Sequence, residues 1–315
     1  MIAVGLDIGN SWTKICIRGK VSKIPSRYAF QRPPGAISQK TGQELKPVAF
    51  HLFFQDDIPL WFGRDTLGIG AIHKLDMSKY DAEHISILFR AVLYQWGKNH
   101  KVDLSDLGKL KIIASMPPGL FQKTAANKQA ATAFRRAFNR GQSHVKIRDG
   151  KKTVQIVTSF GGLIREAVAW GQAVPRQGEV VLTVDLGGGT NDYVLFNGSV
   201  EPLKTFTDNA GLLYAYSQID PIDPAQAELR VLRNKKAPLP HQLLTYFNDV
   251  ERRIQMINLK LPKSVDRLYL IGGGVALMTS RIKATFAPLA PKVVIRNEFA
   301  NCEANWRYAG GGNGS

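Results

Sequence analysis

Cysteine is scarce in this 315-residue chain: only Cys16 and Cys302 occur, far apart and in no CxxC or Cys/His cluster. That excludes a disulfide framework and a thiolate zinc site, and both thiols are expected as small buried hydrophobes. No segment approaches the eighteen or so uninterrupted apolar residues of a membrane-spanning helix. Met1 runs directly into the strand-like Ile2-Ala3-Val4-Gly5-Leu6, without the basic start, apolar stretch and small-residue cleavage site of a secretory signal, so a cytoplasmic protein is expected. Acidic residues are in deficit, 25 Asp and Glu against 42 Lys and Arg, leaving a formal charge of +17 that draws the chain toward polyanions. Lys123, Lys128, Arg135, Arg136 and Arg140 concentrate part of it on one expected helix, which reads first as a solvated face. With 44% apolar and 21% charged residues, disorder is excluded, and the length favours two lobes.

Residues 2 to 8 read as a buried strand, with Trp12 to Arg18 as its hairpin partner across Gly9-Asn10. Pro25 to about Asp76 reads as an inserted lobe of loops and short strands, including Val48 to Phe54 and Leu60 to Phe62. Helical periodicity over Asp81 to Lys98 places Ile85, Leu88, Val92 and Trp96 on one face. Lys111 to Ser115 reads as a strand stopped by Pro117-Pro118, and Phe121 to Phe138 as a helix. After Phe160-Gly161-Gly162 a helix through about Gly171 is predicted, then a second buried strand, Val180 to Leu186, running into Gly187-Gly188-Gly189-Thr190. Asn197-Gly198 signals a further hairpin, Leu239 to Asn258 a helix, and Leu268 to Ile271 a strand ending in Gly272-Gly273-Gly274.

The chemistry lies in two strand-Asp-Gly-turn-strand units, Leu6-Asp7-Ile8-Gly9-Asn10-Ser11-Trp12-Thr13-Lys14 and Val184-Asp185-Leu186-Gly187-Gly188-Gly189-Thr190-Asn191-Asp192. Glycine turns let backbone N–H groups approach phosphate oxygens that a Cβ would hold away, and a Ser or Thr adds a hydroxyl donor. An aspartate beside each turn suits hydrated Mg²⁺, which keeps several waters and uses few protein carboxylates. Neither unit fits GxxxxGK[ST], and neither opens a helix with GxGxxG, so P-loop and Rossmann readings lose ground. Either unit alone is a common structural turn. The pair, with a third glycine run at Gly272, points to a nucleotide clamp.

On these residues the sequence resembles the actin, sugar-kinase and heat-shock-chaperone ATPase superfamily, with its five motifs in order along nearly the whole chain. The resemblance implies an α/β, two-lobed, actin-like (ribonuclease H-like) fold with the nucleotide cleft between lobes. It implies that Gly9, Asn10 and Ser11 contact phosphate, that Lys14 reaches the β- and γ-phosphates, and that Gly187, Gly188, Gly189 and Thr190 form the second loop. Asp7 and Asp185 become Mg²⁺ ligands through water, and Gly272, Gly273 and Gly274 the adenosine motif. Phe160 to Ala169 resembles the first hinge helix, with Glu166 orienting the attacking water, and Ala304 to Gly310 the second. Asp7, Lys14, Glu166 and Asp185 are thus the expected catalytic set, and ATP, or GTP in its place, with Mg²⁺ the expected cofactors.

The same resemblance implies domain I over 1–160, with an insertion at about 25–76 and completion by 295–315, and domain II over 161–294, with a helical insertion at about 208–262. Little chain follows the second hinge, unlike the chaperones, and Leu60-Trp61-Phe62-Gly63-Arg64-Asp65-Thr66 is similar to a strand end of plasmid-segregating ParM-type actins. The expectation is a nucleotide-dependent filament subunit and ATPase serving plasmid or other DNA segregation. Its partners would be itself, a DNA-binding adaptor, and DNA directly through the basic charge. A small-molecule kinase, with Asp192 as base, is the alternative; a non-hydrolysing cytoskeletal scaffold is the third.

Overall fold

The computed structural model describes residues 1–30, 36–37, 44–45, 50–54, 58–62, 72–74, 76–138, 144–149, 152–168, 178–198, 202–221, 224–234, 237–261, 263–275, 277, 286, 288 and 290–310. In chain order the first half holds β1 (Ile2–Ile8), β2 (Trp12–Ile17), β3 (Lys20–Pro25) and the two-residue β4 (Arg27–Tyr28), β5 (Ala36–Ile37) and β6 (Glu44–Leu45). β7 (Phe50–Phe54), β8 (Ile58–Phe62) and the short β9 (Ile72–His73) follow, then helix α1 (Ala82–His100) and β10 (Lys109–Met116). Helices α2 (Pro118–Phe121) and α3 (Thr124–Phe138) lead to β11 (His144–Asp149) and β12 (Lys152–Arg165). The second half holds β13 (Val180–Leu186), β14 (Asn191–Asn197), β15 (Lys204–Asp208), α4 (Leu212–Ile219), α5 (Pro224–Arg233) and α6 (His241–Leu259). It closes with β16 (Arg267–Ile271), β17 (Lys292–Ile295) and α7 (Ala300–Tyr308).

The fold repeats itself. One sheet contains the run β3-β2-β1-β10-β12, extended by β11-β7-β8; the other is β15-β14-β13-β16-β17. In both, an antiparallel meander supplies three strands and two parallel strands are added beside the first of them. β1 and β13 therefore occupy equivalent central positions. Both are near-continuous apolar runs, as expected of strands covered on both faces. Asp7 and Asp185 each stand sixth in a seven-residue strand.

Helix α1 begins where Asp81 caps it, accepting from the Glu83 and His84 backbone N–H groups at 3.1 and 3.0 Å, and stops at Lys101 in the left-handed region. Ile85, Leu88, Val92 and Trp96 are all fully buried in the first core, as the periodicity required. Pro118 opens α2 rather than merely ending β10, because proline suits a first helical turn.

One expectation is overturned. Phe160-Gly161-Gly162 does not open a helix: β12 continues through Arg165, paired parallel with β10 as far as Met116 beside Arg165. A register shift between Ile112 and Ile113 absorbs the extra residue at Gly161, where a Cβ would press on the Ile113 and Lys111 side chains. Pairing with a buried neighbour outweighed the local breaker signal of the two glycines. The first sheet accordingly runs past residue 160. β3 and β17 are strands the sequence reading omitted, and β7 with β8 extends the main sheet through the Arg148–Phe53 pairing rather than forming a separate sheet. Gly63 to Thr66, Arg140 and residues 169–177 lie outside the described residues.

Candidate functional site

The two hairpins close in the same way. The Gly9 N–H donates to the Trp12 carbonyl at 3.0 Å, and the Gly187 N–H to the Thr190 carbonyl at 3.0 Å. The turns also meet across the gap between the sheets: a Cβ on Gly188 would lie 2.7 Å from Ser11 Oγ, and one on Gly189 only 1.7 Å from Asn10 Nδ2. Glycine at these positions is what lets the two loops face each other at backbone distance. Gly211, unnoticed in the sequence, supports the second loop. Its N–H donates to the Gly189 carbonyl, while Leu212 and Leu213 at the start of α4 donate to the Gly187 and Gly188 carbonyls at 3.0 and 2.7 Å.

Four carboxyl groups and the Lys79 ammonium are buried around these turns, and the Lys14 ammonium is largely enclosed there. Lys14 Nζ donates to Asp7 Oδ2 at 2.9 Å. Burial alone would pull the Lys14 ammonium down, but Asp7, with Asp185 and Glu298, holds it above its ordinary value. The Asp185 carboxyl is pushed up to about 6 by burial, although it accepts from Asn301 Nδ2 at 2.5 Å and feels Lys14. Glu166 is 7% exposed and its Oε1 has no hydrogen-bond partner among the described residues. Burial first, then the Asp7 charge, raises its carboxyl well above the usual range, against the pull of Lys79. Asp192, pushed up to about 7 by burial, has each oxygen occupied: Thr207 Oγ1 donates to Oδ1 at 2.6 Å and Thr190 Oγ1 to Oδ2 at 3.1 Å.

Glu166 reaches this place because β12 ends beside β10; its N–H donates to the Met116 carbonyl at 2.9 Å. The next residue, Ala167, has φ +57°. Asn301 on α7 ties that turn to β13, since its Oδ1 accepts from the Ala167 N–H at 3.1 Å while its Nδ2 donates to Asp185. Asn305, one turn on, donates to the Leu6 carbonyl at 2.8 Å and to Ser115 Oγ at 3.0 Å. The predicted second hinge is thus a helix that bonds to both sheets.

The third glycine turn divides its labour. Gly272 has φ +95°, and a Cβ there would lie 2.2 Å from Asp185 Oδ1 and 2.7 Å from the Leu186 carbonyl oxygen; Gly273 has nothing within 4 Å. Gly274 does not line the cleft. Its N–H donates to the Leu186 carbonyl, and a Cβ would crowd Leu186 and Leu212, so its smallness serves packing. Gly272→Ala is therefore expected to lower the melting temperature of the empty protein and Gly273→Ala to leave it unchanged while weakening nucleotide binding. Thermal melts with and without Mg-ADP read both effects; equal melts for the two variants would contradict this division.

All these turns open on one cleft of about 920 Å³, part of it open to solvent. Asp7, Gly9, Asn10, Ser11, Lys14, Glu166, Asp185, Gly187, Gly188, Gly189, Thr190, Gly272 and Gly273 line it together. Asp192 does not. Lys79, buried at the end of the 3-10 turn Asp76–Lys79, joins the lining, and no sequence motif marks it. At the mouth, Trp12 Nε1 donates to Glu228 Oε1 on α5 at 3.2 Å, and Lys23 Nζ pairs with Glu298 at 2.6 Å while lying over the Trp12 ring. Outside the lining, the Gly119 N–H at α2 donates to Thr207 Oγ1 on β15 at 2.9 Å.

Among the described residues no group of three or more His, Cys, Asp or Glu is arranged to hold a metal ion. Asp7 and Asp185 are singly oriented carboxylates, already held by Lys14 and Asn301. Such a donor set fits Mg²⁺ bound through its waters, not a dedicated cage.

No protein-family model matches the sequence, and no curated protein sequence matches it. Solved structures do. An archaeal actin homologue in complex with ADP superposes with a TM-score of 0.65 at 18% identity, over 98% of this chain and 99% of that one. The subunit of a 15-stranded ParM filament from Clostridium botulinum gives 0.68 at 16% identity, over 98% and 99%. The actin-like protein Alp7A gives 0.64 at 14%, over 98% and 96%. The chain has the actin fold.

Proposed function

We propose that this actin-fold chain is a nucleotide-dependent filament subunit that binds Mg-ATP, or Mg-GTP, between its lobes and hydrolyses it. The observation that carries the reading is the convergence of two equivalent Asp-Gly turns on one cleft that also buries Glu166, whose Oε1 has no hydrogen-bond partner among the described residues. The N–H groups of Asn10 and Ser11 and of Gly188, Gly189 and Thr190 bind phosphate oxygens, with the Ser11 hydroxyl as a further donor, while the Gly9 and Gly187 N–H groups hold the turns closed. Lys14 places positive charge beside them, and Asp7 and Asp185 orient the waters of Mg²⁺. When bound, Mg²⁺ neutralises charge developing on the β- and γ-phosphates. Glu166 accepts a hydrogen bond from the attacking water and holds it in line. Gly272 and Gly273 give the nucleoside a flat backbone to lie against.

The neighbour that holds ADP and the neighbour that is a filament support this reading. A kinase reading draws no support from the geometry, because Asp192 is turned from the cleft and both its oxygens accept threonine hydroxyls. Domain I runs to the end of β12 at Arg165 and is completed by α7; domain II spans the second sheet with its helices α4 to α6. Segregation of plasmid or other DNA, through a DNA-binding adaptor and in the cytoplasm, is the proposed use. Among the described residues no helix is long and apolar enough to cross a membrane. Negative-stain images and pelleting with Mg-ATP, beside a phosphate-release assay, test the proposal. Filaments with phosphate release are expected. A chain that stays monomeric at high concentration with a non-hydrolysable analogue would overturn assembly, and filaments without phosphate release would leave a scaffold instead of an ATPase.

A further inference from the structure

Between Asp106 and Asp149 the chain has no acidic residue, against nine Lys and Arg. The structure puts the centre of this stretch on α3, whose two sides differ sharply. Ala130, Ala133, Phe134 and Phe138 are buried, with Phe134 stacked on Phe160 and Phe138 edge-on to Phe89. The opposite side carries Lys128, Thr132 and Arg135 at helical positions i, i+4 and i+7, with Gln129 and Arg136 beside them, all exposed. Lys123 is exposed just before the helix. Among the described residues none of these four cations is ion-paired, and none lines the nucleotide cleft.

We propose that the exposed face of α3 is a binding surface for the phosphate backbone of duplex DNA, so that the subunit contacts DNA directly. A solvated surface helix ordinarily mixes signs, whereas this one presents spaced cations with no acid between them and Thr and Gln donors interleaved. Lys128 and Arg135 are about 10 Å apart along the axis, a span over which duplex DNA carries roughly six phosphate charges. The face has no exposed large apolar residue, and its aromatic side is already packed in the core. A membrane-surface helix needs that apolar side free, and a protein interface centres on aromatic or aliphatic anchors; neither is offered here. Hydrogen-bonding cations on a rigid helix suit a backbone of regularly spaced phosphates, read without regard to base sequence.

This inference stands apart from the nucleotide reading, so a chain that bound DNA but no nucleotide would leave it intact. The test is fluorescence anisotropy of the full chain with a 30-base-pair duplex of arbitrary sequence across a salt series. The triple variant Lys128→Gln/Arg135→Gln/Arg136→Gln is expected to bind at least about tenfold more weakly at low salt and to flatten the slope of log K against log salt by about 2.7. A control triple with the same charge change, Lys20→Gln/Lys260→Gln/Lys292→Gln, should retain affinity within about threefold. Arg135→Lys/Arg136→Lys keeps the charge and is expected to keep binding. Equal losses in both triples would assign the effect to net charge and overturn the site. So would absence of binding at low salt, or a preference for anionic vesicles or polyglutamate over duplex.

Discussion

Replacing Glu166 by alanine is expected to slow phosphate release by about a hundredfold or more while changing nucleotide affinity only a few-fold. The reasons are burial and isolation. Glu166 Oε1 is buried and unpartnered among the described residues, so the protein spends none of its hydrogen bonds on holding this carboxylate for stability. Its neighbours Asp7, Asp192 and Asp185 all disfavour its charge, against the pull of Lys79. A carboxyl kept in such a place costs stability, and the empty protein should if anything become more stable without it. Glu166→Gln separates the two ways it could act. An amide can still orient a water but is a poorer acceptor for its proton, so a loss much smaller than that of alanine would assign orientation, and an equal loss would assign proton acceptance. Single-turnover phosphate release, with affinity from a fluorescent ADP analogue, reads both quantities. Unchanged hydrolysis in Glu166→Ala would remove the residue from the mechanism.

Gly5→Ala is expected to be the most damaging small substitution for stability. Gly5 lies in the middle of β1, opposite Cys16 on β2 and Ile113 on β10, so its strand cannot move freely. A Cβ there would stand 1.9 Å from the Cys302 carbonyl oxygen and 2.5 Å from the Trp306 backbone nitrogen. Both are backbone atoms of α7, and no rotamer change relieves them. The helix must lift from the sheet, which breaks the Asn305 bonds to Leu6 and Ser115 and loosens the Asn301 bridge to Asp185. A cost of about 3 kcal/mol or more follows from overpacking against backbone. That corresponds to a drop in melting temperature of about 5 °C or more for a chain of this size, measurable by calorimetry. Because α7 carries both asparagines, Mg-ADP should protect the variant less than it protects the unaltered protein. A melt within about 1 °C of the original would refute the tight helix–strand contact.

The turns around Asp7 and Asp185 were legible because their causes are local. A strand, an aspartate, a glycine turn and a returning strand lie within nine residues, and the structure shows both as hairpins closed by equivalent hydrogen bonds. Glu166 was legible as a position and misread as an element. Two consecutive glycines mark a break when only neighbours are considered, yet the strand continues because β10 pairs with it past the glycines as far as Arg165. Lys79 sits in a short 3-10 turn with no motif around it, and only the fold carries it to the cleft. Gly211 and Asn301 were invisible for the same reason, since their partners lie about twenty and more than a hundred residues away.

The residues alone determined that two Asp-Gly hairpin turns would form, because hairpin geometry is set by a handful of adjacent dihedral angles and by the absence of a Cβ where the chain turns. They also determined the charge excess and the amphipathic helices. Tertiary structure decided that the turns face one another, that α7 bonds to both sheets, and that Glu166 Oε1 is buried without a hydrogen-bond partner among the described residues. Those outcomes depend on parallel pairing between strands separated by about a hundred residues, β1 with β10 and β13 with β16, and such pairing is stabilised by the covered faces of whole sheets instead of any short run of sequence.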